Sequence, residues 1–280
     1  MIVRLTGALL RALLLALVVA TPALLLPDTG ADTAQVVVLV ALIAGCFVFI
    51  EYFGQYPSIV EFRYASPYNR VRFFTLFATV LLLTVNRAGA HLDTPVADLL
   101  NALGTLLSRA IDFPYSPVRL VLVSLPESTP AHLVETVRVA AGISYITALC
   151  SLLIFAYLVK VHGWPGRQGA FNVWINLPLF DPTGGGDVLA RLKRDASLNV
   201  LLGFLLPFLA PAAFKLLTSV VGPISITNPQ TLIWTMTAWA LLPANLIMRG
   251  IALGRIADMI EEKRRRTYAE AKTDDSMQAA

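Results

Sequence analysis

Apolar residues along this chain fall into long, nearly uninterrupted runs instead of the short alternations of a globular domain. Six runs stand out, at about 7–26, 34–53, 73–86, 137–159, 198–221 and 231–248. A helix needs about 20 mostly apolar residues to cross the roughly 30 Å of bilayer hydrocarbon, and only 73–86 falls well short of that. The expected fold is an all-α, polytopic bundle of about six transmembrane helices. It forms one domain over 1–260, followed by a basic and then polar tail over 261–280. The first run also carries signal-peptide features, with Arg4 and Arg11 ahead of the small-residue stretch Val19-Ala20-Thr21-Pro22-Ala23. Its apolar character continues through Leu24-Leu25-Leu26, so a retained span is expected.

The segments between the runs carry patterns of their own. In the longest, 87–136, Thr94-Pro95 places an N-cap before a proline at the first helical position. Val96, Leu99, Leu100, Leu103, Leu106, Leu107 and Ala110 then recur at helical spacing, which predicts an amphipathic helix over 95–111. That helix would lie flat on the membrane or over the bundle mouth, or offer its stripe to a partner's helix. Pro114, Pro117, Pro126 and Pro130 fence the short apolar stretch from Val118 to Val123, which predicts a re-entrant or interfacial segment.

Between the second and third runs, aromatics and arginines interleave: Tyr52, Tyr56, Phe62-Arg63-Tyr64, Tyr68, Arg70 and Arg72-Phe73-Phe74. This reads as an aromatic belt with a cationic anchor, and alternatively as a site for an anionic head group or a partner. Before the fifth run, Asp181-Pro182-Thr183-Gly184-Gly185-Gly186-Asp187 leads into a helix bearing Arg191, Lys193 and Arg194. Glycines entering a helix suggest a phosphate cradle. The P-loop spacing is missing, however, and an N-capping Asp187 would occupy the same amides. A turn plus N-cap is the expectation.

Composition sharpens the class. The chain is 56% hydrophobic and 14% charged, where a soluble domain carries about 25% charged residues. That excludes a soluble enzyme, a disordered chain and a nucleic-acid-binding domain. The net charge is +4, yet its placement matters more. With the N-terminus cytoplasmic, Arg87, Arg109, Arg119, Arg138 and Lys215 fall outside, leaving 17 of the 22 basic residues inside. The bias predicts both termini in the cytoplasm of a bacterial inner membrane. Lys263-Arg264-Arg265-Arg266 would then meet anionic lipid, and the residues from Asp274 onward are expected to fray.

Candidate chemistry is sparse. Cys46 and Cys150 lie apart within apolar runs and are expected to be buried, inert thiols. His91, His132 and His162 fall outside the runs, so no haem ligation is expected, and His91 with His132 makes only a weak metal pair. Asp93, Asp112, Glu127 and Glu135 show no recognisable spacing. Lys215 and Arg138 lie near span ends, where long cationic side chains snorkel. Glu51 is the least comfortable charge, and it either pairs with Arg63 or Arg70 or marks a site. Asn199 and Asn245 are placed to bond across helices. Ala140, Ser144 and Ala148, and Ala41 with Gly45, form small-residue faces for close packing.

With no catalytic arrangement, cofactor motif or metal-ligand set legible, the leading expectation is a non-catalytic membrane protein that associates with or helps assemble others. The alternative is a transporter or channel for an apolar or lipid-like solute. It would be gated at Pro207, Pro211 and Pro243, with a mid-bilayer cavity lined by Asn245, Pro207, Pro243 and Trp239. The third reading is a lipid-modifying enzyme around Glu51, Asp181, Asp187, Arg191 and Lys193. The candidate functional or interaction residues are Glu51, Arg63, Arg70, Asp181, Asp187, Arg191 and Asn245.

Overall fold

The computed structural model describes all residues except Met1, Asp28, Asp93, 166–171, Pro182, Gly184, 222–227 and 279–280. The side chains of 90–92, 173–174, 218–221 and 272–278 also lie outside the described set. Among the described residues the chain is all-helical. Its elements are α1 (Ile2–Leu25), α2 (Ala31–Phe53), α3 (Tyr68–Leu92), α4 (Pro95–Ala110), α5 (Pro117–Val123), α6 (Ala131–Lys160), α7 (Val173–Asn176), α8 (Val188–Val221) and α9 (Pro229–Gln278). Six of them, α1, α2, α3, α6, α8 and α9, are long and apolar enough to cross a membrane, as in a multi-pass membrane protein.

Several helices outrun their apolar runs, α3 and α9 by the most. α3 begins at Tyr68 and reaches Leu92, because its polar ends are bonded to neighbours. At one end Asn86 Nδ2 donates to Asn101 Oδ1 of α4 at 2.7 Å, and at the other Arg72 Nε donates to Asn245 Oδ1 of α9 at 2.9 Å. α9 has 50 residues, about 75 Å at 1.5 Å per residue. The tail expected to fray from Asp274 is helical to Gln278. Its Ala, Glu, Lys and Arg content favours helix, and Arg266 bonds Glu262 one turn back.

The small residues set the helix spacing. Gly45 of α2 lets that helix approach the Ala12 carbonyl of α1, while Val38, Ile43 and Phe47 of α2 face outward. Ala140, Ser144 and Ala148 are buried along α6. α8 and α9 meet closely where a Cβ on Gly203 would lie 2.6 Å from the Pro243 carbonyl oxygen and one on Gly250 would lie 2.7 Å from the Ala196 carbonyl oxygen. Pro211 has no N–H for the Pro207 carbonyl one turn back, and Trp239 Nε1 of α9 donates to that oxygen at 3.2 Å.

The connecting segments take definite places, and one local expectation, the burial of the two cysteines, is corrected. α4 forms over Pro95–Ala110, capped by Thr94, but it packs through Ala97, Gly104 and Ser108 against α3 and α6. Val96, Leu99, Leu103, Leu106 and Leu107 face out, because small residues allow the closer backbone approach and an apolar solvent removes the reason to bury leucine. The proline-fenced segment is α5, whose Val118, Val121 and Leu122 join the core between α3, α6 and α9. Cys46 and Cys150 lie on exposed flanks, not in the interior.

The α8–α9 seam yields a paired test. Gly250→Ala should lower the thermal midpoint in detergent, at a cost of roughly 1–3 kcal/mol for overpacking. Gly254→Ala should leave it unchanged, since the nearest atom to a Cβ there is 3.9 Å away.

Candidate functional site

The end of the bundle that gathers the interleaved aromatics and arginines is organised around two carboxylates. Glu51, in the last turn of α2, is buried, and its side chain turns back onto the following loop. It accepts the backbone N–H groups of Ser58, Ile59 and Val60 at 2.9–3.2 Å, together with the Ser58 hydroxyl. The expected pairing of the Glu51 carboxylate with Arg63 or Arg70 is therefore corrected. Arg63 instead donates to main-chain carbonyls at the end of α2: Glu51, Gly54 at 3.0 Å and Gln55 at 3.0 Å. A cation against the free carbonyls of a helix C-terminus is a favourable placement.

Glu61 is the second carboxylate. It forms a two-pronged ion pair with Arg249 of α9, at 2.6 and 2.8 Å, with the Glu61 side chain 6% exposed. The planar guanidinium matches both carboxylate oxygens at once. Next to it, Phe62, Tyr68, Phe155 and Trp164 form a buried aromatic cluster with ring centroids 4.5–6.1 Å apart. Trp164 Nε1 donates to the Ala65 carbonyl at 3.0 Å. Asn176 of α7 accepts from the Phe62 and Tyr64 N–H groups. These bonds hold Phe62 at φ +54°, a left-handed conformation that a bulky residue adopts only when its surroundings impose it.

With the two acids engaged, a cavity of about 810 Å³ remains between the α1–α2 hairpin, α3 and α9. Arg11, Arg63, Asn69, Arg70, Arg72 and Asn245 form its polar end. Leu14, Val48, Leu76, Trp234 and Leu241 form its apolar body. Leu10 at 59%, Phe74 at 63% and Leu242 at 62% exposure mark where it opens onto the flank of the bundle. Among the described residues no carboxylate lines it. Arg72 is braced by Asn245 and lies over the Tyr68 ring at 5.5 Å, and Arg11 lies over the Tyr52 ring at 4.8 Å. The volume falls within the roughly 300–1,000 Å³ typical of small-molecule sites.

The structure thus brings three sequence candidates, Arg63, Arg70 and Asn245, to one cavity and places Glu51 just behind it. Sequence reasoning passed over Arg11 and Thr237 as parts of a site, and reached Asn69 and Arg72 only through the segment they share with Arg70. Arg11 read as a signal-peptide flank, and only the arginine–aromatic interleaving of 61–74 hinted at an anion site. Of the four residues expected to line a mid-bilayer cavity, Asn245 lines this one, while Trp239 donates to the Pro207 carbonyl.

The other candidates form a separate group. Asp187 caps α8, accepting the Leu189 N–H at 3.3 Å, and pairs with Arg264 of α9 at 2.9 Å. Arg264 and the capped amide hold the Asp187 carboxyl below its usual range. Asp181 accepts from Thr183, and Arg191 donates to the Asp181 carbonyl at 2.7 Å. Lys193 pairs with Glu261 of α9 at 2.7 Å. Asn199 bonds within its own helix, to the Asp195 carbonyl, rather than across helices. The expected turn includes Pro182 and Gly184, which lie outside the described residues, as do Asp93 and the His91 side chain.

At the opposite end of the bundle, Asp112 and Glu135 converge on Arg138, with Arg119 and Arg109 beside them. Arg138 is therefore paired, not a lone snorkelling cation. Among the described residues no group of three or more His, Cys, Asp or Glu side chains is placed to hold a metal.

Two outcomes follow. Glu51→Ala, but not Gln55→Ala at an exposed position of the same loop, should release the 54–63 loop and raise its cleavage by added protease severalfold, because three amides lose their acceptor. The Asp187–Arg264 contact should persist above the ordinary carboxylate range and be lost as pH falls through the lowered Asp187 value. Distance measurements between spin labels at 190 and 267 should report a widening that Asp187→Asn shows at every pH. No family model, curated protein or solved structure matches the chain.

Proposed function

We propose that this chain is a non-catalytic, multi-pass protein of a bacterial inner membrane that binds one membrane amphiphile in its flank cavity. The observation that carries the reading is the combination of an apolar body, an arginine-lined end without a carboxylate, and an opening among exposed apolar side chains. That combination suits a molecule with a polar head and an apolar tail entering from the bilayer. It favours the lipid-like solute over ion or proton translocation, which would need charged groups deep among the spans. The 17-to-5 distribution of basic residues supports both termini in the cytoplasm. In that orientation the arginine end lies at the cytoplasmic leaflet.

Association with another membrane protein is the second reading. It rests on α9, which carries the exposed Lys263, Arg264, Arg265 and Arg266 beyond its membrane-crossing portion. The same four residues suit anionic head groups, at about 1 kcal/mol per basic residue.

Lipid retention tests the first reading. Protein purified in mild detergent from native membranes should carry about one tightly held amphiphile per chain, identifiable by native mass spectrometry. Ala238→Trp, which fills the cavity from an exposed position on its wall, should remove it. Equal retention by wild type and Ala238→Trp would contradict the reading.

A further inference from the structure

We propose that the amphiphile is an anionic, phosphate-bearing glycerolipid, its phosphate held by Arg70, Arg72 and Arg11, with the charge of Arg63 beside them, and its ester region reaching Thr237. This rests on the cavity reading above and assigns the chemistry of its ligand. Four guanidinium groups from α1, the 54–66 loop and α3 converge on one end of the cavity, and the nearby carboxylates are committed elsewhere: Glu51 to backbone amides, Glu61 to Arg249. The convergence is held in place. Arg72 is fixed by Asn245 and by the Tyr68 ring, and Arg63 by carbonyls of α2. Arg70 is exposed and makes no hydrogen bond or ion pair with the described residues. Guanidinium forks match the oxygens of a phosphate in pairs, and the quaternary ammonium of a zwitterionic choline head would add a like charge beside the arginines.

A second, independent observation lies deeper. Thr237 is 3% exposed, its hydroxyl has no hydrogen-bond partner, and it lines the cavity wall. A threonine in a helix ordinarily donates to the carbonyl one turn back, as Thr75, Thr79 and Thr84 do in α3. Thr237 does not, and a buried hydroxyl without a partner is costly. It sits eight residues from Asn245 along α9, about 12 Å at 1.5 Å per residue. A ligand with a polar ester linkage between head and tails supplies the missing acceptor; a hydrocarbon alone does not.

The experiment reconstitutes delipidated full-length protein in nanodiscs and measures binding of fluorescent phosphatidylglycerol and phosphatidylcholine of matched chains. A competition arm uses inorganic phosphate. Wild type should prefer phosphatidylglycerol by roughly tenfold or more, the effect of one or two hydrogen bonds to a charged group. Arg70→Gln and Arg11→Gln, both at exposed positions, should reduce that preference severalfold without unfolding, and Arg72→Lys should keep more of it than Arg72→Gln. Equal binding of the two lipids, or a preference unmoved by these variants, would overturn the head-group assignment while leaving the cavity reading intact. Inorganic phosphate that binds as tightly as the lipid would reassign the site to a free anion. Loss of both lipids in wild type would overturn the cavity reading itself.

Discussion

The decisive constraint is how negative charge is used at the arginine-rich end of the bundle. Two carboxylates lie close to the cavity, and neither faces it. Glu51 is drawn onto the amides of Ser58, Ile59 and Val60 as the chain turns between α2 and α3. Glu61 is taken by Arg249, a pairing that ties the same loop to α9. Were either acid to turn toward Arg63 or Arg72, the cavity would be neutralised from within. Because both are engaged elsewhere, Arg11, Arg63, Arg70 and Arg72 keep an uncompensated positive field beside an apolar space. The loop that folds around Glu51 also places Arg63, so one carboxylate both shapes the entrance and leaves it cationic.

The bundle supplies the space by uneven packing. α8 and α9 are drawn together by Gly203 and Gly250, and α4 by its small face against α6. The α1–α2 hairpin closes on itself through Gly45 and rests on α3, leaving a gap toward α9 that large side chains line without filling. In water such a gap would collapse or take up solvent. In a bilayer the surrounding medium is itself apolar, so packing, rather than the hydrophobic effect, decides which helices touch. A cavity open to lipid is stable under those conditions.

The chain's runs of apolar residues made the six spans legible, and its caps made α4 and the start of α8 legible at Thr94 and Asp187. Element ends were less so. Asn86 and Arg72 look like the edges of a span in hydropathy, yet their bonds to Asn101 and Asn245 carry α3 past them. The leucine stripe of α4 was legible, but its packing face was not: in an apolar solvent the stripe has no cause to turn inward, and the small residues Ala97, Gly104 and Ser108 do the packing. The cavity was hidden because its parts lie on α1, the loop, α3 and α9, up to about 230 residues apart, and no spacing rule links Arg11 to Arg72 or Asn245. What could be read was its local fragment, arginines interleaved with aromatics from Phe62 to Phe74. Thr237 left no sequence trace at all, since a threonine without its usual helical bond looks the same as any other.

Direct localisation of the bound molecule is the sharpest test of the account. A phosphatidylglycerol analogue with a photoreactive diazirine in its acyl chain would be added to the full chain in native-like membranes, irradiated and mapped by peptide mass spectrometry. The account predicts adducts concentrated on 10–15 of α1 and 234–245 of α9, which face the apolar body of the cavity. Adducts confined to the outward face of α2, around Val38, Ile43 and Phe47, with none on those two segments, would contradict it.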